Sequence, residues 1–273
     1  MSIRRQLRYA WERFARRRTE LLADGLPLGL RLWVGTSDDV GRRLYKYRVH
    51  EPHVLAWLER QPCPANDALV IDAGANLGWY ALLLDRLGMG RLAIHAFEPD
   101  PENRALLERN CALNQAQNVT IHASALSNRR GQATLHRYRA INRGKHSLRP
   151  LARGVDTVEV ETDTLDACLA RAGLSDRDIF LLKVDVEGFE PEVIEGAAES
   201  LRRVQQVLLE YTPAFLDGDR GAELLDRLFG AGLSPLAWDG GAWSPVKRDR
   251  LLRETAQRDT LWVRDPVFAG CAS

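Results

Sequence analysis

The stretch that decides the fold is Leu69-Val70-Ile71-Asp72-Ala73-Gly74-Ala75-Asn76-Leu77-Gly78-Trp79-Tyr80. A short apolar run that ends in an acid and a glycine is typical of the first strand of a parallel α/β sheet. The stretch therefore predicts a buried strand, a tight turn and then a helix. Gly74 and Gly78 carry no Cβ atom, so the backbone there can approach a ligand closely. In open α/β sheets, ligands bind at the carboxyl ends of the strands.

The glycine spacing of this turn differs from the dinucleotide-binding pattern Gly-x-Gly-x-x-Gly. Asn76 stands at the second glycine position, and Trp79 stands where the third glycine is expected. Those glycines let backbone amides hold a pyrophosphate. The pattern Asp-x-Gly-x-x-x-Gly instead resembles motif I of class I S-adenosylmethionine-dependent methyltransferases, whose ligand has no phosphate. A nicotinamide-dependent oxidoreductase remains an alternative of another class.

The composition indicates one large globular domain with an extension. The chain has 273 residues, of which 45% are hydrophobic and 27% charged. A net charge of +1 gives no general attraction to nucleic acid, so we expect no nucleic-acid partner. Four widely spaced cysteines form no Cys-x-x-Cys pair, which argues against structural zinc. Because we find neither an apolar run of membrane-spanning length nor an apolar signal core, we expect a cytoplasmic protein.

Strands and helices alternate through the middle of the chain. This alternation predicts a Rossmann-like α/β fold with a mostly parallel seven-stranded sheet and helices on both faces. The predicted strands lie at about residues 69–73, 92–97, 119–123, 179–184, 207–209, 233–238 and 260–264. Residues 132–161, between the third and fourth of these strands, are predicted to form an inserted β-hairpin with a polar tip at 142–147.

Residues 3–22 have the pattern of a cationic amphipathic helix. Apolar side chains follow helical spacing at Ile3, Leu7, Trp11, Phe14 and Leu21. The same segment carries seven arginines. We favour a terminal helix that packs on the domain and turns its arginines to water. The alternative is a helix that lies on an anionic membrane surface, as a peripheral contact at the inner face of the membrane.

Four of the predicted strands end in an acid, and these acids are Asp72, Glu98, Asp185 and Glu210. Parallel strands share their carboxyl edge, so all four are expected on one rim of the sheet. A carboxylate at the position of Glu98 can accept hydrogen bonds from both hydroxyls of a ribose. Ser124 and Ala125 follow the third strand, where an adenine ring would lie, although an ordinary turn explains them equally well.

Several segments together resemble the FkbM-like methyltransferases. They are 71–78, Phe97-Glu98-Pro99, Ala125-Leu126-Ser127 and 182–190. The most specific part is Lys183-Val184-Asp185-Val186-Glu187-Gly188-Phe189-Glu190. The resemblance covers about residues 47–265 and leaves 1–46 as an N-terminal helical extension with a connector and 266–273 as a tail. It implies a class I methyltransferase fold, S-adenosyl-L-methionine as cofactor, and mostly O-methylation of sugars in glycans or of hydroxyls on natural products.

The resemblance also implies roles for particular residues. Those on the methionine and ribose side would be Asp72, Gly74, Asn76 and Gly78. Glu98, in its Phe-Glu-Pro motif with Pro99, would hold the ribose hydroxyls. Glu51 would contact the amino-acid end of the cofactor, although His50 departs from the pattern expected beside it.

An alcohol that accepts a methyl group must lose a proton, and a positioned carboxylate or imidazole is the usual proton acceptor. Asp185 and Glu187 are the candidates, because they emerge beside the glycine turn, and His146 in the inserted tip ranks below them. Glu187 could instead hold the turn at Gly188. Asp185, Glu187 and Glu210 would suit magnesium, but no spacing requires a metal, so we predict none.

The sequence thus predicts an S-adenosylmethionine-dependent O-methyltransferase that acts on a hydroxyl, with a sugar of a glycan or glycolipid as the favoured acceptor. One alternative acceptor is a polyketide or another secondary metabolite. Apart from the oxidoreductase, a further alternative of another class is a non-catalytic protein of the membrane surface.

Overall fold

The computed structural model describes residues 3–61, 67–137, 146–149, 156–216 and 219–264. The predicted tail at 266–273 and most of the predicted hairpin tip lie outside these residues. The strands are β1 Glu20–Ala23, β2 Leu32–Gly35, β3 Ala68–Ala73, β4 Leu92–Phe97, β5 Val119–His122, β6 Ala125–Leu126, β7 Gly131–Arg137, β8 His146–Ser147, β9 Asp156–Asp163, β10 Ile179–Val184, β11 Val204–Tyr211, β12 Ser234–Trp238, β13 Trp243–Pro245 and β14 Arg258–Val263.

The α-helices alternate with the strands of the main sheet. They are α1 Ile3–Ala10, α2 Asp39–Tyr47, α3 Pro52–Glu59, α4 Trp79–Gly88, α5 Pro101–Asn114, α6 Leu165–Arg171, α7 Glu190–Glu195, α8 Arg220–Gly230 and α9 Arg248–Leu252. Among the residues that the structure describes, none of these helices is long and apolar enough to span a membrane.

The main sheet has the strand order β13-β12-β14-β11-β10-β3-β4-β5. Strands β5, β4, β3, β10 and β11 pair in parallel, and the remaining three pair antiparallel. The predicted mostly parallel α/β sheet is therefore confirmed. It has eight strands rather than seven, because the short edge strand β13 pairs with β12 through three residues.

The two central strands explain why the sheet forms. Every residue of β10 is buried and so is all of β3 after Ala68, as expected for strands covered on both faces. One apolar core lies on the side of α3, α4 and α5, and a second lies on the side of α6, α7 and α8. The sheet places the carboxyl ends of its parallel strands along one edge, where the candidate site lies.

The N-terminal segment differs from its prediction. The predicted helix over residues 3–22 ends at Ala15, since α1 continues only into one π-helical turn at Trp11–Ala15. Residues 20–23 instead form β1, which pairs antiparallel with β2. Leu21, Leu32 and Leu44 belong to the same core as α4. The predicted boundary at residue 46 falls inside α2, so this segment is packed into the domain.

The insertion is more than a hairpin. Strands β7 and β9 pair antiparallel from Gly131↔Thr162 to Arg137↔Asp156, as the predicted hairpin requires. Strand β6 adds to β9 in parallel, and β8 adds to β7, which gives a second sheet of four strands with the order β6-β9-β7-β8. This second sheet brings His146 and Ser147 back toward the main sheet.

Candidate active site

One cavity of about 240 Å³ lies at the carboxyl edge of the parallel strands. Gly74, Asn76 and Glu98 line one part of it, which we call the glycine side. Asp185, Glu187 and Glu210 line another part, which we call the acidic side. The remaining predicted residues in its wall are Glu51, Pro99, Ala125 and His146. The structure therefore brings nine residues predicted for one site, together with Glu210, to one cavity.

The backbone of the glycine turn fits tightly against the neighbouring strand end. Gly74 has φ +78°, and a Cβ atom there would lie 1.9 Å from the carbonyl oxygen of Asp185. The backbone N–H groups of Gly74 and Ala75 both donate to the carbonyl of Phe97, at 3.1 and 3.0 Å. Only glycine can adopt this positive φ readily and also lie this close to the Asp185 carbonyl, so the turn has a fixed shape.

Glu98 is held by backbone amides at the wall of the cavity. Its Oε2 accepts the N–H of Asn76 at 2.7 Å, and its Oε1 accepts the N–H of Asp100 at 2.9 Å. Burial raises the pKa of Glu98 to about 7, although both hydrogen bonds oppose this rise. A carboxylate has about four lone-pair sites, so each oxygen keeps room for a further donor.

The inserted sheet supports this acid through a buried ion pair. Asp100 accepts the N–H groups of Glu102 and Asn103 as the N-cap of α5. Its Oδ2 also lies 2.5 Å from Nε of Arg137, which is the last residue of β7. Both side chains are almost fully buried. Arg137 thus connects the insertion to the loop that positions Glu98.

Asp72 does not lie where the sequence places it. It is fully buried within β3, and its Oδ1 lies 3.1 Å from Nζ of Lys183, its register partner on β10. The Lys183 ammonium also donates to the carbonyl of Gly74 at 3.1 Å and lies 3.6 Å from Asp185. Burial lowers the pKa of Lys183, but the charges of Asp72 and Asp185 outweigh it and raise the pKa. Asp72 therefore supports the glycine turn through Lys183, and we no longer assign it to the cofactor.

Glu51 and His50 form a charged pair in the cavity wall. Glu51 accepts hydrogen bonds from the Tyr80 hydroxyl and from His50, whose Nε2 lies 3.2 Å from Oε1. Burial alone would raise the pKa of Glu51, but the His50 and Tyr80 hydrogen bonds lower it to about 2. Burial likewise opposes the charged form of His50, yet its pKa is raised because Glu51 and Asp185 face it. These two carboxylates therefore favour the positive form of the imidazole beside the acidic side.

The three carboxyl groups of the acidic side lie close together. One oxygen from each of Asp185, Glu187 and Glu210 lies within 4.8 Å of the other two. Burial and then the charges of Asp185 and Glu187 raise the pKa of Glu210 well above its ordinary value. Its Oε1 also accepts a hydrogen bond from the Gln257 amide. The cluster can relieve its repulsion by holding a proton on Glu210, and its oxygen ligands would also suit a divalent cation.

The turn that carries Glu187 is held by hydrogen bonds to Glu190. Glu190 Oε1 accepts the N–H groups of Val186 and Gly188, at 3.3 and 3.0 Å. Burial raises the pKa of Glu190 to about 7. Glu187 has φ +52°, a conformation that L-residues rarely adopt. Held in this way, the turn presents the Glu187 side chain to the cavity.

His146 lies in the cavity wall and not on an exposed loop. Strand β8 pairs His146 with Arg137 and so returns it to the site. The next residue, Ser147, donates from its hydroxyl to the carbonyl of Glu187 at 2.6 Å. Arg149 then donates to the carbonyl of Phe215 at 2.9 Å. The segment His146 to Arg149 therefore crosses the acidic turn as a strap.

Two further predicted residues lie away from the cavity. Gly78 has φ +92° at the start of α4, and a Cβ atom there would lie 2.5 Å from Leu107, so this glycine serves helix packing. Ser124 lines a separate cleft with His122 and Arg171. The short strand β6 turns the chain so that Ala125, and not Ser124, reaches the cavity. We therefore withdraw both residues from the proposed cofactor site.

Sequence reasoning missed the supporting residues Lys183, Glu190, Arg137 and His50. A signal existed for Lys183, because a lysine inside the apolar run 179–184 must find an acidic partner when buried. Asp72, the acid of the neighbouring first strand, was the available partner. No comparable signal existed for Arg137, because its partner Asp100 is the N-cap of α5 and lies 37 residues earlier in the chain.

Comparison with known proteins gives consistent matches. A family model described as the methyltransferase FkbM domain matches residues 72–232. Methyltransferase sdnD of Sordaria araneosa is 30% identical over 224 residues, which cover 71% of this chain and 83% of sdnD. The 2-O-methyltransferase NoeI of Sinorhizobium fredii is 28% identical over 160 residues, which cover 54% of this chain and 64% of NoeI.

Other relatives are longer than the region that they share with this chain. Methyltransferase 1 of Beauveria bassiana is 29% identical, and the match spans 59% of its length. The crystal structure of a methyltransferase FkbM from Methylobacillus flagellatus aligns with a TM-score of 0.48 at 15% identity, over 80% of this chain and 49% of that chain. Since the family model covers more than half of the sequence, the chain belongs to the FkbM methyltransferase family, and the predicted resemblance is confirmed.

Proposed function

We propose that the protein is an S-adenosyl-L-methionine-dependent O-methyltransferase whose acceptor is a hydroxyl of a sugar in a glycan or glycolipid. One observation carries this proposal. A single cavity has on one side a buried carboxylate aligned by the amide of the glycine turn, and on another side a cluster of acids. The first arrangement suits a ribose, and the second suits a hydroxyl that must lose a proton.

The glycine side fits the cofactor by the chemistry of its donors and acceptors. Glu98 would accept hydrogen bonds from the two ribose hydroxyls, because its oxygens keep lone pairs beyond the two backbone contacts. Gly74 and Asn76 would lie against the methionine part, and Pro99 and Ala125 would lie near the base. Glu51, held ionised by His50 and Tyr80, would face the amino group of the methionine.

The bound cofactor supplies an electrophilic methyl group on a sulfonium centre. The chain must then orient the acceptor oxygen, exclude water and remove one proton. We assign proton removal to Asp185, which is more exposed to the cavity than Glu187 and interacts with Lys183. Glu210, whose pKa is raised by burial and by the neighbouring acids, would donate a hydrogen bond to Asp185 in its protonated form and fix its orientation. Glu187 and His146 would bind further acceptor hydroxyls.

A polar acceptor suits this wall better than an apolar one. Beside the three carboxyl groups, the lining includes the polar side chains of His146 and Gln257 together with apolar ones such as Leu148 and Phe189. A sugar carries several hydroxyls that can hydrogen-bond to such groups at once, whereas an apolar ring offers them no donor or acceptor. The 2-O-methyltransferase NoeI among the relatives agrees with transfer to oxygen.

The cofactor assignment is tested by calorimetric titration with S-adenosylhomocysteine. We expect Glu98→Ala to weaken binding by about 10- to 100-fold, because two charge-assisted hydrogen bonds are lost. Glu108→Ala, which removes an exposed acid from the following helix, should bind as the wild type does. Equal affinities of the two variants would contradict the assignment of Glu98.

The transfer step is tested in a strain that lacks the gene and is complemented with single variants. Mass spectrometry of its glycans should show the loss of one CH₂ mass on deletion and its return with the wild type. We expect Asp185→Asn to lower turnover by about 10²- to 10⁴-fold while leaving S-adenosylhomocysteine binding within about twofold. Glu199→Gln, at an exposed position, is the control. Full methylation by Asp185→Asn would remove Asp185 from the mechanism.

A further inference from the structure

The N-terminal helix exposes most of its large apolar side chains. Those of Ile3, Leu7, Trp11 and Phe14, which we call the apolar stripe, are each more than three-fifths exposed. Their spacing of four, four and three residues places them along one face. They make up half of the exposed large hydrophobic residues in the described part of the chain. The predicted helix therefore leaves its apolar face exposed instead of packing it on the domain.

A different face of the helix holds it to the domain. Tyr9 is buried, and its hydroxyl donates to the carbonyl of Thr36. The centroids of the Tyr9 and Tyr45 rings lie 5.7 Å apart, and Nζ of Lys46 lies 4.5 Å from the centroid of the Tyr9 ring. Because Tyr45 and Lys46 belong to α2, the helix is fixed on α2 while the stripe points elsewhere.

Arginines surround the apolar stripe. Residues 3–18 contain seven arginines and a single acid, Glu12, so the segment has a net charge of 7 − 1 = +6. Glu12 is already engaged by Arg16 and Arg18, at 3.4 and 3.9 Å. The guanidinium carbon of Arg13 lies 5.1 Å from the centroid of the Phe14 ring. Cationic and apolar groups therefore share one exposed surface.

We propose that the apolar stripe and its arginines bind the surface of an anionic phospholipid membrane. The apolar side chains would enter the boundary between headgroups and acyl chains, and the arginines would contact lipid phosphates. Charge complementarity decides the occupant. A second copy of the chain would bring two segments of +6 together, whereas an anionic bilayer attracts them.

Membrane binding through this face would also orient the cavity. Helix α2 contacts Tyr9 through Tyr45 and Lys46, and its first half contributes Asp39, Val40 and Arg43 to the cavity wall. One rigid helix thus joins the proposed membrane contact to the candidate active site. The membrane proposal does not depend on methyl transfer, so it can hold or fail separately.

The test is co-sedimentation of the full chain with vesicles. Vesicles of equimolar phosphatidylglycerol and phosphatidylcholine should pellet the protein, and vesicles of phosphatidylcholine alone should pellet much less of it. We expect Leu7→Ser/Phe14→Ser to weaken binding to the anionic vesicles by about tenfold or more. Arg4→Gln/Arg8→Gln should also weaken it by about tenfold or more, and added salt should weaken wild-type binding.

Two matched controls distinguish binding through this surface from nonspecific binding of the protein to vesicles. Met89→Ser removes a side chain that is 69% exposed, close to the 66% of Leu7, and it should bind vesicles as the wild type does. Arg202→Gln removes an exposed arginine elsewhere and should also leave binding unchanged. Calorimetry with S-adenosylhomocysteine on each variant reports on the proposed function separately.

Three results would overturn the membrane proposal. The wild type could remain in the supernatant with anionic vesicles. Leu7→Ser/Phe14→Ser could pellet as fully as the wild type. The third result combines two measurements. Sedimentation equilibrium without vesicles could show a dimer that dissociates in Leu7→Ser/Phe14→Ser, while neither the wild type nor any variant binds lipid. The stripe would then be a contact between copies of the chain.

Discussion

The glycine side and the acidic side of the cavity are built in different ways. On the glycine side, backbone amides hold Glu98, and the turn itself is fixed by the contact of Gly74 with the carbonyl of Asp185. On the acidic side, the cavity is formed by ionisable side chains whose charges depend on one another. The backbone thus fixes the shape of the glycine side, whereas single substitutions can alter the acidic side.

Lys183 joins the two sides, so replacing it should have the largest effect. Lys183→Met would leave Asp72 buried without its counter-charge and remove the hydrogen bond to Gly74. We expect unfolding in urea to show a loss of about 3–5 kcal/mol.

The double variant Asp72→Leu/Lys183→Met replaces the pair with apolar groups and should recover most of that stability. If the single and double variants are equally unstable, the pair does not support the turn in the way that we describe.

Gly74→Ala, which affects the glycine side alone, should lower the free energy of unfolding by a smaller amount. The new Cβ atom would collide with the carbonyl of Asp185. Strain from this contact and from the positive φ should cost about 2–4 kcal/mol and weaken S-adenosylhomocysteine binding.

Gly173→Ala is the matched control for this substitution. Gly173 has φ +69°, but no atom lies within 4 Å of an added Cβ. Urea denaturation should therefore show a loss of only about 1–2 kcal/mol, which is the cost of the positive φ for alanine. Binding of S-adenosylhomocysteine should be unchanged. Equal effects at both positions would mean that the close contact at Gly74 is unimportant.

The smallest predicted effect is on the pH dependence of S-adenosylhomocysteine binding. Burial raises the pKa of Glu98 to about 7, so below that pH the folded protein carries the protonated acid. The ionised form is the better acceptor for ribose hydroxyls, so affinity should increase by about tenfold between about pH 6 and about pH 8. Titrations across this range should show the increase in the wild type and a flat profile in Glu98→Gln. A wild-type profile without an increase would contradict the role of Glu98.

Much of the fold could be predicted from the order of its strands. The run Leu69 to Ala73 and the run 179–184 are apolar over the length of a strand, and such continuous runs indicate strands covered on both faces. The helix predicted over residues 3–22 forms only from Ile3 to Ala15, and its apolar spacing could not reveal whether a partner covers that face. β-pairing also overrides the helical pattern at residues 20–23, where β2 supplies the partner.

The candidate site could be predicted where position along a strand determines it. Glu98 and Asp185 were found because parallel strands end at one edge. Asp72 was misplaced, because it lies within β3 and its side chain points to the face that Lys183 occupies. The interaction of Arg137 with Asp100 and the return of His146 through β8 depend on contacts between distant segments, and local sequence patterns do not encode them.

The strap from His146 to Arg149 has a consequence for how acceptor preference can diverge. Two of its hydrogen bonds run to the backbone carbonyls of Glu187 and Phe215. In the proposed function the strap borders the acceptor, so exchanging it between family members should change the acceptor preference. Because β8 also pairs with Arg137, which supports the loop of Glu98, an exchange that keeps this pairing should leave the affinity for the methyl donor unchanged.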